Sequence, residues 1–470
     1  MDMGGRVLSV ASECVPLVKT GGLADVVGAL PGALAGLGWD MRVLMPAYRA
    51  LRGQVDGWPE VWGEDDLFGG RGAVRAGEVA GVPVLLLEAP HLYDREGGPY
   101  GPPGGDWPDN PQRFAALCWA AARIAREGTG EGWRPQVVHA HDWQGGLAPA
   151  YLAYGGPRDV GSVITVHNIA FQGWAPAGLL GALRLPAHEY HPGSLEFYGG
   201  LSSLKAGLVT ADAITTVSPT YADELMRPEF GMGLQGVIAA RAGVVRGILN
   251  GVDTGVWAPP YADLAGKAAA RVALCDEFGL EVPGPLAILV SRLTDQKGID
   301  LIPAVLPGFI EAGGGLVVLG SGDAGLEAAM RELARRHPER VGLRIGYDEA
   351  LSRRMFAGGD AVLVPSRFEP CGLTQMYGLR FGTLPVVAAT GGLADTVITA
   401  SPAAIRAGVA TGITFHPTDA VAFAQALRHL GALYADRAVW TRMQANAMAA
   451  DVGWGPSAAA YADLYAGLVR

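Results

Sequence analysis

The chain has 470 residues, half of them apolar and 17% charged, which is too long for one ordinary core and excludes wholesale disorder. Its 36 basic and 46 acidic residues leave a net charge of −10, which argues against a nucleic-acid or anionic-membrane surface. Cys14, Cys118, Cys275 and Cys371 are widely spaced and form no CxxC, so no disulfide framework, zinc knuckle or other metal site is expected.

From the N-terminus, the apolar run after Arg6 is short and leads straight to Glu13, unlike a secretory signal. No run is long enough to cross a bilayer, so a cytoplasmic location is expected. Short β-branched runs then alternate with longer Ala/Leu-rich stretches. The strands expected in the first half are 6–11, 41–45, 83–88, 136–140, 162–166 and 213–217. In the second half they are 286–291, 316–320, 343–346, 361–365 and 384–389. Continuous apolar strands separated by helices mark parallel sheets covered on both faces. Two such series predict an α/β chain of two doubly wound, Rossmann-like domains. Turn residues and prolines in "RGILNGVDTGVWAPP" (246–260) place the crossing there, giving domains 1–247 and 248–452. The last stretch, 453–470, is expected to cross back to the first domain.

Ligands of open parallel sheets bind at the carboxyl ends of strands, near helix N-termini. The chemistry-bearing windows fall at those ends: "HAHDWQ", "HNIAFQG", "SRLTDQKG", "GSGD" and "PSRFEPCGLTQ". They come from both halves, so the expected site lies in a cleft between two domains. "HAHD" (139–142) lacks convergent metal geometry, with His139 on the strand and His141 and Asp142 opening the loop; a polar contact to a ligand is expected. His167 and Asn168 close the next strand in the same way. Arg292 and Lys297 share one loop, and a forked guanidinium beside a mobile ammonium suits a diphosphate. "GSGDAG" (320–325) fits the dinucleotide fingerprint, but no acidic residue follows at the required place, so Gly322 is read as a turn where backbone approaches a nucleotide. Glu369 precedes "CGLT", where the N–H groups of Gly372, Leu373 and Thr374 open a helix and suit an anion or sugar hydroxyls. Cys371 has no adjacent base and is read as packing beside the ligand.

Taken together, "KTGGLADVVGALP", "HLYDREGGPY", "VVHAHDWQGGLAPAYL", "TVHNIAFQG", "LNGVD", "SRLTDQKG", "IGYDE", "PSRFEPCGLTQMYGL" and "GTLPVVAATGGLADTV" resemble the bacterial glycogen synthases and plant starch synthases. These are retaining glycosyltransferases of the two-Rossmann-domain (GT-B) architecture, and the resemblance covers nearly the whole chain. It implies glucose transfer from ADP-glucose to the non-reducing end of an α-1,4-glucan such as glycogen, without a cofactor. It places Lys19, Gly21 and Gly22 over the donor diphosphate, with Asp25 in the same window. It gives Arg292 and Lys297 the leaving ADP, Glu369 the flank of the donor glucose, and His167 the anomeric region by its main chain. Tyr347 is implied to pack on adenine, and Asp142, Asn168 and Asn250 to surround sugar and diphosphate. Many retaining enzymes of this architecture carry a second Glu eight residues after the first; here that position is Tyr377, so no ribose contact is carried over.

"TGGLAD" occurs twice, at 20–25 and 390–395, in surroundings too different for a duplicated module. The first copy, with Lys19 before it, is expected to touch phosphates and the second to shape the wall of the site. Open alternatives are a UDP-glucose donor, an α-glucan phosphorylase, a non-catalytic glucan-binding protein and a nicotinamide oxidoreductase.

Overall fold

The computed structural model describes residues 4–156 and 159–470. The chain forms two compact units. The first runs to Val217 and adds Ala222–Gly251 and Trp454–Arg470; the second comprises Ser218–Tyr221 and Val252–Gly453.

The first unit is built on a nine-stranded sheet. Its spatial order is Val245–Gly247, Ala213–Thr216, Gly161–Val166, Val137–His141, Arg6–Val10, Asp40–Pro46, Val82–Glu88, Gly72–Val79 and Glu60–Glu64. The first seven pair in parallel and the last two join antiparallel. Strands such as Gly161–Val166 are buried along their whole length, as expected where helices cover both faces. From Arg6–Val10 the chain winds one way to Asp40–Pro46, and from Val137–His141 it winds the other way. The reversal between these two neighbours is the topological switch point, outside which doubly wound sheets bind ligands.

The second unit carries six parallel strands in the order Val341–Ile345, Gly315–Gly320, Leu286–Val290, Ala361–Val364, Leu384–Ala388 and Ile413–Phe415. Numbered along the unit this is 3-2-1-4-5-6, the Rossmann order, and its switch point lies between Leu286–Val290 and Ala361–Val364.

Every strand expected from sequence is present, with ends displaced by no more than two residues. The antiparallel strands Glu60–Glu64 and Gly72–Val79 were not anticipated, because Gly, Arg and Glu interrupt their apolar pattern. Val245–Gly247, Ile413–Phe415 and a small three-stranded sheet (Trp174–Pro176, Glu196–Phe197, Gly200–Ser202) are too short to show periodicity. Among the described residues no helix is long and apolar enough to cross a membrane.

The last helix, Trp454–Ala466, packs within the first unit. Tyr461, Leu464 and Tyr465 are buried with Val7, Leu34, Trp39, Val137 and Val163, and the Tyr465 ring meets Trp39 edge-on at 5.4 Å. The Tyr465 hydroxyl also bonds His139 Nδ1 at 2.7 Å. Tyr465→Ala is therefore expected to lower stability by about 3–5 kcal/mol, through a cavity and an unpaired buried nitrogen. A urea unfolding midpoint unchanged from wild type would contradict this packing.

Candidate active site

In the first unit, the loop after Arg6–Val10 folds around a buried carboxylate. Glu13 accepts hydrogen bonds from the Thr20 amide, from Thr20 Oγ1 (2.5 Å), from the Gly21 amide (3.2 Å) and from the Tyr100 hydroxyl. Four donors on one carboxylate hold the backbone of Thr20 and Gly21 at the start of the helix Gly22–Ala35. Lys19 is half exposed and its ammonium bonds Asp25 Oδ1 at 2.8 Å. Glu13 is a functional candidate that the sequence reading used only as the end of an apolar run; a buried-length strand running into an acidic residue was the available signal.

The loop after Val137–His141 is tighter than expected. His141 still belongs to the strand, and Asp142 opens a four-residue helix with φ +49°, a left-handed conformation rare outside glycine. The strain is held by Asp142 Oδ1, which accepts from the His167 amide (2.7 Å) and the Asn168 amide (3.3 Å). Burial raises the Asp142 carboxyl to about 7, against the lowering effect of those two amides. Asn168 spends its side-chain oxygen on the Ala170 amide at 3.0 Å. Asn250, after Val245–Gly247, is buried, and its Oδ1 has no hydrogen-bond partner among the described residues.

His139 and His141 do not await a ligand. They sit 4.2 Å apart, ring to ring, in a buried polar seam through an apolar sheet. His139 bonds Tyr465 and, at 2.6 Å, Thr165; His141 bonds Ser9 (3.1 Å) and His167 (2.9 Å). Within the "HAHD" window, both ring nitrogens of His139 are spent inside the fold. Burial pushes His139 and His167 down to about 3 and His141 well below the usual range, so all three are neutral at pH 7.

In the second unit, the loops on either side of the switch point meet. Lys297 Nζ lies 2.5 Å from Glu369 Oε2, which also accepts from Ser366 Oγ at 2.9 Å. Both partners are largely buried, with side chains 18% and 11% exposed. Arg292, two residues after the strand Leu286–Val290 and in the same loop as Lys297, is exposed and its guanidinium has no carboxylate partner among the described residues. A paired ammonium, a carboxylate and an unpaired guanidinium thus share one end of one sheet. Gly372, with φ +68°, leads into the helix Thr374–Arg380, for which Leu373 is the N-cap residue, and Cys371 is buried behind it.

The "GSGDAG" turn is explained by packing. A Cβ on Gly322 would stand 2.3 Å from the Leu293 carbonyl oxygen, and the Gly322 amide donates to Glu327 Oε1 at 3.1 Å. Asp323 caps the following helix by accepting from the Gly325 and Leu326 amides. The first turn is therefore satisfied by its own side chains, not left open as a dinucleotide cradle. Tyr347 stands 83% exposed with its hydroxyl 3.1 Å from Glu349.

The two "TGGLAD" windows separate sharply. Cβ atoms on Gly391 and Gly392 would lie 2.0 Å from the Glu369 oxygen and 2.1 Å from the Cys371 oxygen, and the Gly392 amide donates to the Pro370 carbonyl at 3.0 Å. Asp395 accepts from the Thr220 amide and hydroxyl, which ties residues 218–221 to the second unit. By contrast, Cβ atoms on Gly21 and Gly22 would meet nothing within 4 Å among the described residues, and Gly21 has an extended backbone at φ −152°. Contacts within the chain account for the second pair of glycines and not for the first.

Residues 6–240 match the family model described as starch synthase catalytic domain, and residues 284–432 match glycosyl transferases group 1. The chain is 73% identical to the glycogen synthase of Cereibacter sphaeroides (strain ATCC 17025 / ATH 2.4.3), covering 99% of each chain. The chain belongs to the glycogen and starch synthase family. It is 63% identical to the glycogen synthase of Paracoccus denitrificans (strain Pd 1222) over 98% of both chains. Among solved structures it resembles the catalytic domain of starch synthase IV from Arabidopsis thaliana, bound to ADP and acarbose. That likeness has a TM-score of 0.85 at 31% identity, with 99% of each chain covered. Membership in this family makes the chain a glycosyltransferase of GT-B type, with a sugar-nucleotide donor and a glucan acceptor. The oxidoreductase alternative falls with the capped "GSGDAG" turn.

Two outcomes follow from this geometry. Gly392→Ala forces a methyl group against a carbonyl and should cost about 1–3 kcal/mol, whereas Gly22→Ala should leave stability unchanged or raise it by up to about 1 kcal/mol. Urea unfolding of the two variants checks this, and equal losses would contradict it. The second concerns pH. His139, His141 and His167 are neutral in the fold but take up protons near 6.5 when unfolded, so their contribution is lost as pH falls from 6.5 toward 3. Asp142 opposes them, because it holds its proton up to about 7 in the fold and releases it above 3.8 when unfolded. With three protons gained and one lost on unfolding, stability should drop with falling pH below about 6.5, reaching a slope of about 2.7 kcal/mol per pH unit between roughly pH 5.5 and 4. A flat unfolding free energy between pH 6.5 and 5 would contradict the neutral seam.

Proposed function

We propose that this chain transfers glucose from ADP-glucose to the non-reducing 4-hydroxyl of an α-1,4-glucan, with retention of configuration. The observation that carries the reading is the Lys297–Glu369 pair beside unpaired Arg292, at the switch point of a Rossmann sheet. The ADP and acarbose bound to the starch synthase IV relative support a nucleotide diphosphate as the leaving group. In this reading the second unit is the donor side and the first the acceptor side.

Arg292 and Lys297 take up the charge that develops on the diphosphate as the C1–oxygen bond breaks, which is stabilisation aimed at the transition state. Glu369, held by Ser366 and Lys297, flanks the glucosyl ring. The glucan oxygen forms its bond to C1 on the face the phosphate leaves, and its proton passes to the departing phosphate oxygen, so the products are ADP and a glucan one residue longer. Gly21 and Gly22 admit the diphosphate to bare backbone, as their open Cβ directions allow. The buried, unpaired Asn250 oxygen accepts from the ligand, Asp142 and Asn168 line the sugar, and Tyr347 folds over the base. Gly322 acts at one remove, by seating the Arg292 loop against its own turn. Cys371 packs behind the ligand, and the N–H groups of Gly372, Leu373 and Thr374 face its hydroxyls or phosphate.

The test is purified protein with glycogen primer, offered ADP-glucose and UDP-glucose in parallel while nucleoside diphosphate release is followed. Release from ADP-glucose is expected; release from neither would reject the function, and faster release from UDP-glucose would overturn the donor. Arg292→Ala and Lys297→Ala should each lower kcat by at least about 100-fold while the far-ultraviolet circular dichroism spectrum is retained. A variant keeping most of its turnover would remove that residue from the mechanism.

A further inference from the structure

Ser9 lies on the strand Arg6–Val10 and is 1% exposed. Among the described residues its hydroxyl has one partner, His141 Nε2 at 3.1 Å. A buried hydroxyl proton without an acceptor is costly, and this ring nitrogen is the acceptor in reach, so Ser9 donates and His141 Nε2 accepts. A neutral imidazole carries one N–H, which for His141 must then be on Nδ1. That nitrogen lies 2.9 Å from His167 Nε2 and donates to it. His167 therefore accepts at Nε2 and carries its own proton on Nδ1. Burial keeps both rings neutral, so each has one N–H and the direction of the chain is determined. His139 does not compete for His141, because both of its nitrogens are occupied by Tyr465 and Thr165. Its ring, 4.2 Å away, also blocks His141 from turning over.

We infer that Ser9 and His141 are positioning residues that lock His167 as the Nδ1–H tautomer, so that it presents one neutral donor to a sugar oxygen of the substrate. The contact to substrate rests on the transferase reading above; the tautomer does not. Asp142 completes the arrangement by fixing the His167 main chain through its amide, while the Ser9–His141 chain fixes the ring.

Long-range proton–nitrogen NMR on histidine-labelled, ligand-free protein at pH 7 reads the tautomers directly. The expected result is Nδ1–H for both His141 and His167. Ser9→Ala, which removes one oxygen, should leave both as mixed tautomers and lower kcat about tenfold, with the KM for ADP-glucose little changed, and Ser9→Thr should restore both. An Nε2–H tautomer at His167 in the wild type would overturn the assignment. Mixed tautomers in Ser9→Ala with full turnover would overturn the positioning role while leaving the transferase function intact. A wild type with the expected tautomers and no transferase activity would overturn the sugar contact together with the function.

Discussion

The second unit depends on a contact between two stretches of backbone. Gly391 and Gly392 lie on the carbonyls of Glu369 and Cys371 with no room for a methyl group, and the Gly392 amide closes the contact by donating to Pro370. This seats the loop that follows Ala361–Val364, and with it Glu369, whose carboxylate in turn holds Lys297 from the neighbouring loop. Gly322 does the same for the Arg292 loop by lying on the Leu293 carbonyl. Such packing fixes the backbone of both loops and leaves the buried Lys297–Glu369 pair little freedom to rearrange, while the Arg292 guanidinium stays exposed.

The first unit reaches a comparable end by different means. There, side chains do the holding: Glu13 gathers the Thr20 and Gly21 amides, and Asp142 gathers those of His167 and Asn168. Beneath them runs the seam of Ser9, His139, His141, Thr165 and Thr215, with Ser9 in register with His139, and His141 with Thr165 and Thr215. A polar row inside a parallel sheet is tolerated because its members satisfy one another, and the last helix seals it through Tyr465. The seam also makes the unit acid-sensitive, since neutral imidazoles are part of its packing.

Much of this was legible in the sequence, for physical reasons. Fully buried parallel strands must be apolar throughout, so runs such as "SVITV" and "LAILV" stand out, and polar residues placed just beyond them mark the carboxyl ends. That logic marked Asp142, His167, Arg292, Lys297 and Glu369 as candidates, while Lys19, nine residues past its strand, entered through the family resemblance. It did not separate the two "TGGLAD" windows by mechanism, because glycine needed for close packing and glycine left bare read alike until the neighbouring backbone is seen. Nor did it foresee that His139 would be spent on Tyr465, which lies 326 residues away. The helix-capping role of Asp323 was hidden by a motif match that ignored what else an Asp after glycine can do.

The central claim is that the switch point of the second unit, and not its "GSGDAG" turn, receives the diphosphate. Hydrogen–deuterium exchange with and without saturating ADP tests it directly. The account predicts slowed exchange across residues 292–298 and 369–375, with the amides of 322, 325 and 326 unaltered because Glu327 and Asp323 already hold them. Slowed exchange at 322–326 alone, with residues 292–298 and 369–375 unchanged, would contradict it.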